Sequence, residues 1–212
     1  MKIQSEEKLF ELLDEDLAWR KKELTSIMNS IQNAYDKNED VAVRIGVTML
    51  YAHWQGYVIN ASNWYINYLR QLNLKYKDLT DNFITLSIKR KIKDCSASNK
   101  TATHSQVVHV LMNGLGEVAD LPHKNAIDKA SNLNFEIFSD ILFTLGLNLN
   151  FYSPKKNLID TMLLDSRNKI AHGERYCIDR EELTILYKEV LDMLECFQTQ
   201  IIDAVQKKLF LR

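Results

Sequence analysis

Leu163-Leu164-Asp165-Ser166-Arg167-Asn168-Lys169-Ile170-Ala171-His172-Gly173 is the stretch around which the chain is organised. Leu163, Leu164, Ile170 and Ala171 are spaced to bury one side of a helix, and Gly173 is a natural left-handed stop just past its end. Into that apolar setting the sequence puts Arg167, Asn168 and His172. At 100° per residue Asn168 and His172 share a face one turn apart, with Asp165 a turn earlier as a supporting residue. The Cβ vectors of Arg167 and His172 diverge by roughly 140°, a gap that a long guanidinium stem can close. A cation, an amide and an imidazole thus converge near a helix C-terminus, where a phosphate could be held and a proton moved. The competing reading is structural: an Arg paired with an acid and a His capping the last carbonyls.

Working outward, two Pro and six Gly in 212 residues leave little material for the turns of an all-β fold. Ala, Leu, Lys, Glu and Gln fill long stretches with few breakers, so the expected class is all-α. The length suits one domain spanning 1–212. A net charge of −1 gives no global pull toward nucleic acid, so such a partner would need a local basic surface. Cys95, Cys177 and Cys196 are far apart, without a C-x-x-C pair. They read as reduced cytosolic thiols rather than a disulfide frame or zinc site. The N-terminus lacks the apolar core of a secretion signal. Val41 to Ile59 is cut by Arg44, His53 and Gln55, so no membrane span is expected. The expected location is cytoplasmic.

Taken in order, Ser5 with Glu6 and Glu7 starts a long helix to about Ala34, whose charged face from Asp14 to Lys22 reads as solvated. A second long helix runs from about Val41 to Leu72, apolar nearly all round in its first half and therefore central. Its Trp54, Tyr57, Trp64, Tyr65 and Tyr68 suit a core or a subunit interface, and His53 a core or supporting position. Asp78 to Cys95 forms a third helix ending in Lys89, Arg90, Lys91 and Lys93, the first candidate for RNA backbone contact together with Lys169. Ser96 to Thr103 reads as a flexible loop and His104 to Leu115 as a short helix. Asn134 caps a helix from Phe135 to Leu145, ended by Gly146. Ser153-Pro154 opens the helix bearing the Arg–His segment. Asp179, with Glu182 three residues on, caps the last long helix. No metal-ligand spacing emerges around His104 and His109, and no cofactor is implied.

R-N-x-x-A-H-G, closing a helix in a small all-helical chain, resembles the HEPN superfamily, and most of all the HEPN ribonucleases of bacterial toxin and defence systems. Arg167 and His172 match the two signature positions, and Asn168 the polar residue after the Arg. Tyr51-Ala52-His53-Trp54-Gln55-Gly56 resembles the aromatic second-helix segment of the RiboL-PSP-type subgroup. Ser131-Asn132-Leu133-Asn134, with Ile141-Leu142 and Leu145-Gly146-Leu147, resembles its short helix before the catalytic one. The resemblance implies a bundle of about six to seven helices with long first, second and last helices.

It further implies a metal-independent endoribonuclease of a toxin–antitoxin or phage-defence system, with Arg167, Asn168 and His172 catalytic. The 2′-hydroxyl would attack the adjacent phosphate, giving 2′,3′-cyclic phosphate and 5′-hydroxyl ends. An imidazole, titrating near ~6.5, serves as acid or base at neutral pH, and Arg grips phosphate through its planar fork. A single His cannot easily be both base and acid in one in-line step, and the family's solution is a homodimer. An antitoxin or defence-complex partner is also implied. The alternative is a catalytically silent HEPN dimerisation or ligand- or RNA-binding module of a larger defence complex. Family members silenced by tyrosine modification carry Tyr two past the His; here Glu174 stands there and the nearest tyrosine is Tyr176.

Overall fold

Ser5 sets the first helix: its hydroxyl accepts the N–H of Lys8 at 3.2 Å, and α1 (Glu6–Gln32) follows with Glu6 and Glu7 in its first turn. The structure, a computed structural model, describes residues 3–33, 39–122, 126–127, 132–176 and 178–212, with only the backbone of Arg90. The expected end of α1 at Ala34, Ser131 of the resemblance, and Cys177 lie outside the described residues. Leu9, Leu13, Leu17, Leu24, Met28 and Ile31 form the buried stripe of α1.

α2 (Glu39–Gln71) buries residues in every turn from Val43 to Leu69, which makes it the central helix. α3 (Asp81–Ser96), α4 (Thr101–Asn113) and α5 (Phe135–Leu145) follow. Asn134 caps α5 by accepting the N–H of Ile137, and Gly146 ends it at φ +67°. After the π-helix (Leu158–Asp165) and the short α6 (Ser166–Ala171) comes α7 (Arg180–Gln206), started by a reciprocal Asp179–Glu182 capping box. The class is all-α: among the described residues there is no strand, only isolated bridges between Lys75 and Val118 and between Leu79 and Leu211. No described helix is long and apolar enough to cross a membrane.

α1, α2 and α7 pack on one another, α3 packs against α4 and α5, and α6 packs against α2 and the π-helix. Phe138 of α5 ties the assembly together. Its ring lies 4.8 Å from Trp54, 4.8 Å from Tyr152 and 6.0 Å from Phe197. All four rings are fully buried, and Tyr152 donates its hydroxyl proton to the Met193 carbonyl at 3.2 Å.

Several expectations need correction. Helix occupies half of the expected flexible loop from Ser96 to Thr103, leaving residues 97–100 between α3 and α4. Arg20 is not on a solvated face: it is buried, gripped by Asp16 at 2.8 and 3.3 Å, and donates to the His53 carbonyl at 3.2 Å. Of the two readings of the α2 aromatics, core or subunit interface, the core one holds for Trp54, Tyr57, Tyr65 and Tyr68, which are interior. The helix bearing the motif is not a regular α-helix. A 3-10 turn (Ser153–Lys155) leads into the π-helix, whose wider i→i+5 turns change the register of the apolar pattern. Ile159, Leu163 and Ser166 are consequently buried, while Met162 and Leu164 are only partly so.

Candidate functional site

α6 ends as the Gly at its terminus dictates. Gly173 adopts φ +80°, the left-handed conformation that costs a glycine nothing. The N–H groups of His172, Gly173 and Glu174 bond the carbonyls of Asn168 (2.9 Å), Ile170 (3.0 Å) and Lys169 (3.0 Å). Three of the last four carbonyls of the helix are therefore satisfied by backbone, and the His172 imidazole caps none of them. That side chain is exposed, and no hydrogen bond or ion pair joins it to another described residue.

Arg167 is half-buried. Its Nη1 donates to Asn168 Oδ1 at 2.7 Å, and its Cζ stands 4.5 Å from the centroid of the Tyr51 ring. It forms no ion pair with any described acid. Among the described residues neither half of the structural reading holds: the Arg is paired with no acid, and the His with no carbonyl.

Tyr51 is itself buried on α2, and its hydroxyl oxygen accepts the N–H of Leu133 at 2.8 Å. Burial pushes its pKa up, against the opposing effects of the Leu133 N–H and the Arg167 charge, so the phenol stays neutral. Seven residues earlier on α2, Arg44 donates from Nη2 to the Glu174 carbonyl at 3.0 Å and clips the segment after His172. Ser166 is buried beneath the motif, with its hydroxyl 3.2 Å from the Thr161 carbonyl and 3.0 Å from Tyr176 Oη.

The structure brings Arg167 and Asn168 into contact and leaves His172 at the exposed end of the same short helix. Asp165 turns elsewhere: it pairs with Lys169 at 2.9 Å, and that ammonium lies 4.8 Å from the Tyr176 ring centroid. The Asp165 hydrogen bond pushes the Lys169 pKa up. Lys89 and Lys93 are exposed and Lys91 half-buried on α3, and the side chain of Arg90 lies outside the described residues. Since α3 packs against α4 and α5 while α6 packs against α2, the basic run and the motif have different neighbours. Among the described residues no group of three or more His, Cys, Asp or Glu could hold a metal ion.

Sequence reading passed over the roles of Tyr51 and Arg44. A signal was present for both. Arg44 is a lone cation in an apolar stretch, and the i, i+4, i+7 spacing of Arg44, Thr48 and Tyr51 marks one face of α2. What faces them could not be known without the fold.

A family model described as RiboL-PSP-HEPN matches residues 15–203. No curated protein and no solved structure matches the chain.

Proposed function

Because the chain belongs to the RiboL-PSP-HEPN family, and because its Arg–His segment carries a cation with no acid partner among the described residues and an exposed imidazole at the end of the same short helix, we propose that it is a metal-independent endoribonuclease. The observation that carries this reading is the state of Arg167: it is held by Asn168 and Tyr51, and no acid among the described residues neutralises its charge. A fixed, partly desolvated guanidinium is suited to a phosphate and to the charge that develops on it.

The reaction needs a base to take the 2′-hydroxyl proton. The 2′-oxygen then bonds to phosphorus, and the bond from phosphorus to the 5′-oxygen breaks. An acid protonates that oxygen as it leaves, giving a 2′,3′-cyclic phosphate and a 5′-hydroxyl. His172 supplies one of these proton transfers, Arg167 steadies the phosphoryl oxygens, and Asn168 orients the guanidinium. Since a copy offers one imidazole at the site, the other transfer is assigned to His172 of a second copy in a homodimer. A cytoplasmic toxin–antitoxin or phage-defence setting is the part of the proposal that rests on resemblance alone.

The test is RNA cleavage by the purified protein and by Arg167→Ala and His172→Ala. Each substitution should lower the rate by about two or more orders of magnitude, the usual scale for lost acid–base or oxyanion groups, without loss of helical content. A His172→Ala protein that cuts RNA normally contradicts the reading. A wild-type protein that binds RNA through Arg167 but never cuts it would make the chain a binding module instead.

A further inference from the structure

The guanidinium of Arg167 is restrained on two sides, and the second restraint comes from a residue outside the Arg–His segment. Asn168 Oδ1 holds Nη1 at 2.7 Å. The Arg167 Cζ lies over the Tyr51 ring, 4.5 Å from the centroid. That ring is fixed at both ends. Its Cβ is on the most buried helix of the molecule, and its hydroxyl oxygen accepts the Leu133 N–H at 2.8 Å. Only 1 % of Tyr51 is exposed, so the ring has no room to turn away.

With Nη1 committed to Asn168, the edge formed by Nε and Nη2 has no hydrogen-bond partner among the described residues and offers a pair of parallel donors, the geometry that matches two oxygens of one phosphate. A long Arg side chain on a half-exposed helix would otherwise lose much of its rotamer freedom when it engages a ligand. A cation seated on an aromatic face has already lost much of it.

We propose that Tyr51 is a positioning residue of the site, holding the Arg167 guanidinium over its ring so that the Nε–Nη2 edge meets the phosphate; this rests on the ribonuclease reading above. The ring does the holding. The hydroxyl tie to Leu133 serves only to fix the ring. Tyr51→Phe therefore keeps most of the effect, because a phenyl face attracts a cation in the same way. Tyr51→Leu keeps apolar bulk and removes the face.

Two measurements test this together. The first is side-chain NMR of Arg167 in the RNA-free protein, assigned by its loss in Arg167→Lys. The Hε signal should be shifted upfield by the ring current and rotation about Nε–Cζ slowed in wild type and Tyr51→Phe, with both features lost in Tyr51→Leu. The second is single-turnover cleavage of a short RNA. Tyr51→Leu should lower kcat by about tenfold to a hundredfold, the scale of a misplaced reacting group, with KM nearly unchanged. Tyr51→Phe should stay within about threefold of wild type, since it retains the aromatic face. In an Arg167→Ala background Tyr51→Leu should cost nothing further, because a residue acting only through Arg167 is silent without it.

An Arg167 Hε at its random-coil position in wild type overturns the proposal, and that measurement needs no folded Tyr51 variant. A Tyr51→Leu loss that persists undiminished without Arg167 overturns it as well. If the wild-type protein cuts no RNA, the ribonuclease reading falls, while the NMR comparison still decides whether Tyr51 places Arg167.

Discussion

Asn168 spends its amide oxygen on Arg167, not on the imidazole one turn away. Its contribution is therefore indirect, and Asn168→Ala should cost less than loss of Arg167 itself, about tenfold in the cleavage rate. Asn168→Asp should cost more than Asn168→Ala, because a carboxylate in the same place neutralises the guanidinium. Single-turnover rates of the two variants decide the matter; equal rates would contradict the assignment. His53 carries a second prediction at this scale. It is buried with Nδ1 3.4 Å from Arg20 Nη1, Nε2 2.9 Å from Glu23, and its ring centroid 5.3 Å from that of Trp19. Burial first, and then the Arg20 charge, lower its pKa from 6.5; Glu23 and Asp16 oppose them without reversing the direction. A lowered folded value means that the unfolded chain takes up the proton first as the pH falls. The stability contribution is whole above about 6.5 and is lost as the pH drops from there through the folded value. Urea midpoints between pH 7.5 and 5 should fall for wild type and less steeply for His53→Gln. Parallel curves would contradict this account.

At the scale of elements, what is set locally was legible and what is set by distant neighbours was not. The Ser5 cap, the Asp179–Glu182 box, and Asn134 and Gly146 around α5 all act within a few residues of themselves, and each stands where the sequence puts it. The Arg20 environment depends on His53, 33 positions away, and on Gly56, where an added Cβ would meet Arg20 Nη1 at 2.8 Å. No window along the chain contains that information. The π-helix was illegible for a related reason: its apolar residues also satisfy an ordinary helical period, and packing against α2 and α7 decides between the registers. The geometry of the motif was half legible. The helix end and glycine stop followed from the residues, but the pairing of Asp165 with Lys169 and the seat of Arg167 on Tyr51 did not. Gly173 offers the test at this scale. A Cβ there meets nothing within 4 Å, so the cost of Gly173→Ala is that of the backbone conformation alone. Thermal unfolding should show a loss of about 1 kcal/mol, and less for Gly173→Asn. A stabilised Gly173→Ala protein would contradict the left-handed helix end.

Over the whole molecule, the question is how one imidazole per chain completes an acid–base reaction. The large aromatic residues of α2 are mostly consumed by the core, so the proposed second copy would need another docking surface. Val41 and Ile45 are 57 % and 53 % exposed at the start of α2, beside Ile170 of the motif helix. An apolar surface reaching Ile170, two residues before His172, fits the homodimer of the proposed function. Light scattering at micromolar protein should give twice 24.7 kDa, and Ile45→Asp should yield a folded monomer without cleavage activity. A strictly monomeric wild type that cuts RNA would remove the composite site. The central claim is that the chain cuts RNA by proton transfer and fixed positive charge. The most direct measurement is a short RNA incubated with the purified wild-type protein in excess EDTA, with the ends of the products analysed by mass. The account predicts cleavage that persists in chelator, with 2′,3′-cyclic phosphate and 5′-hydroxyl ends. Activity that vanishes with chelator, returns with magnesium and leaves 5′-phosphate ends would contradict it.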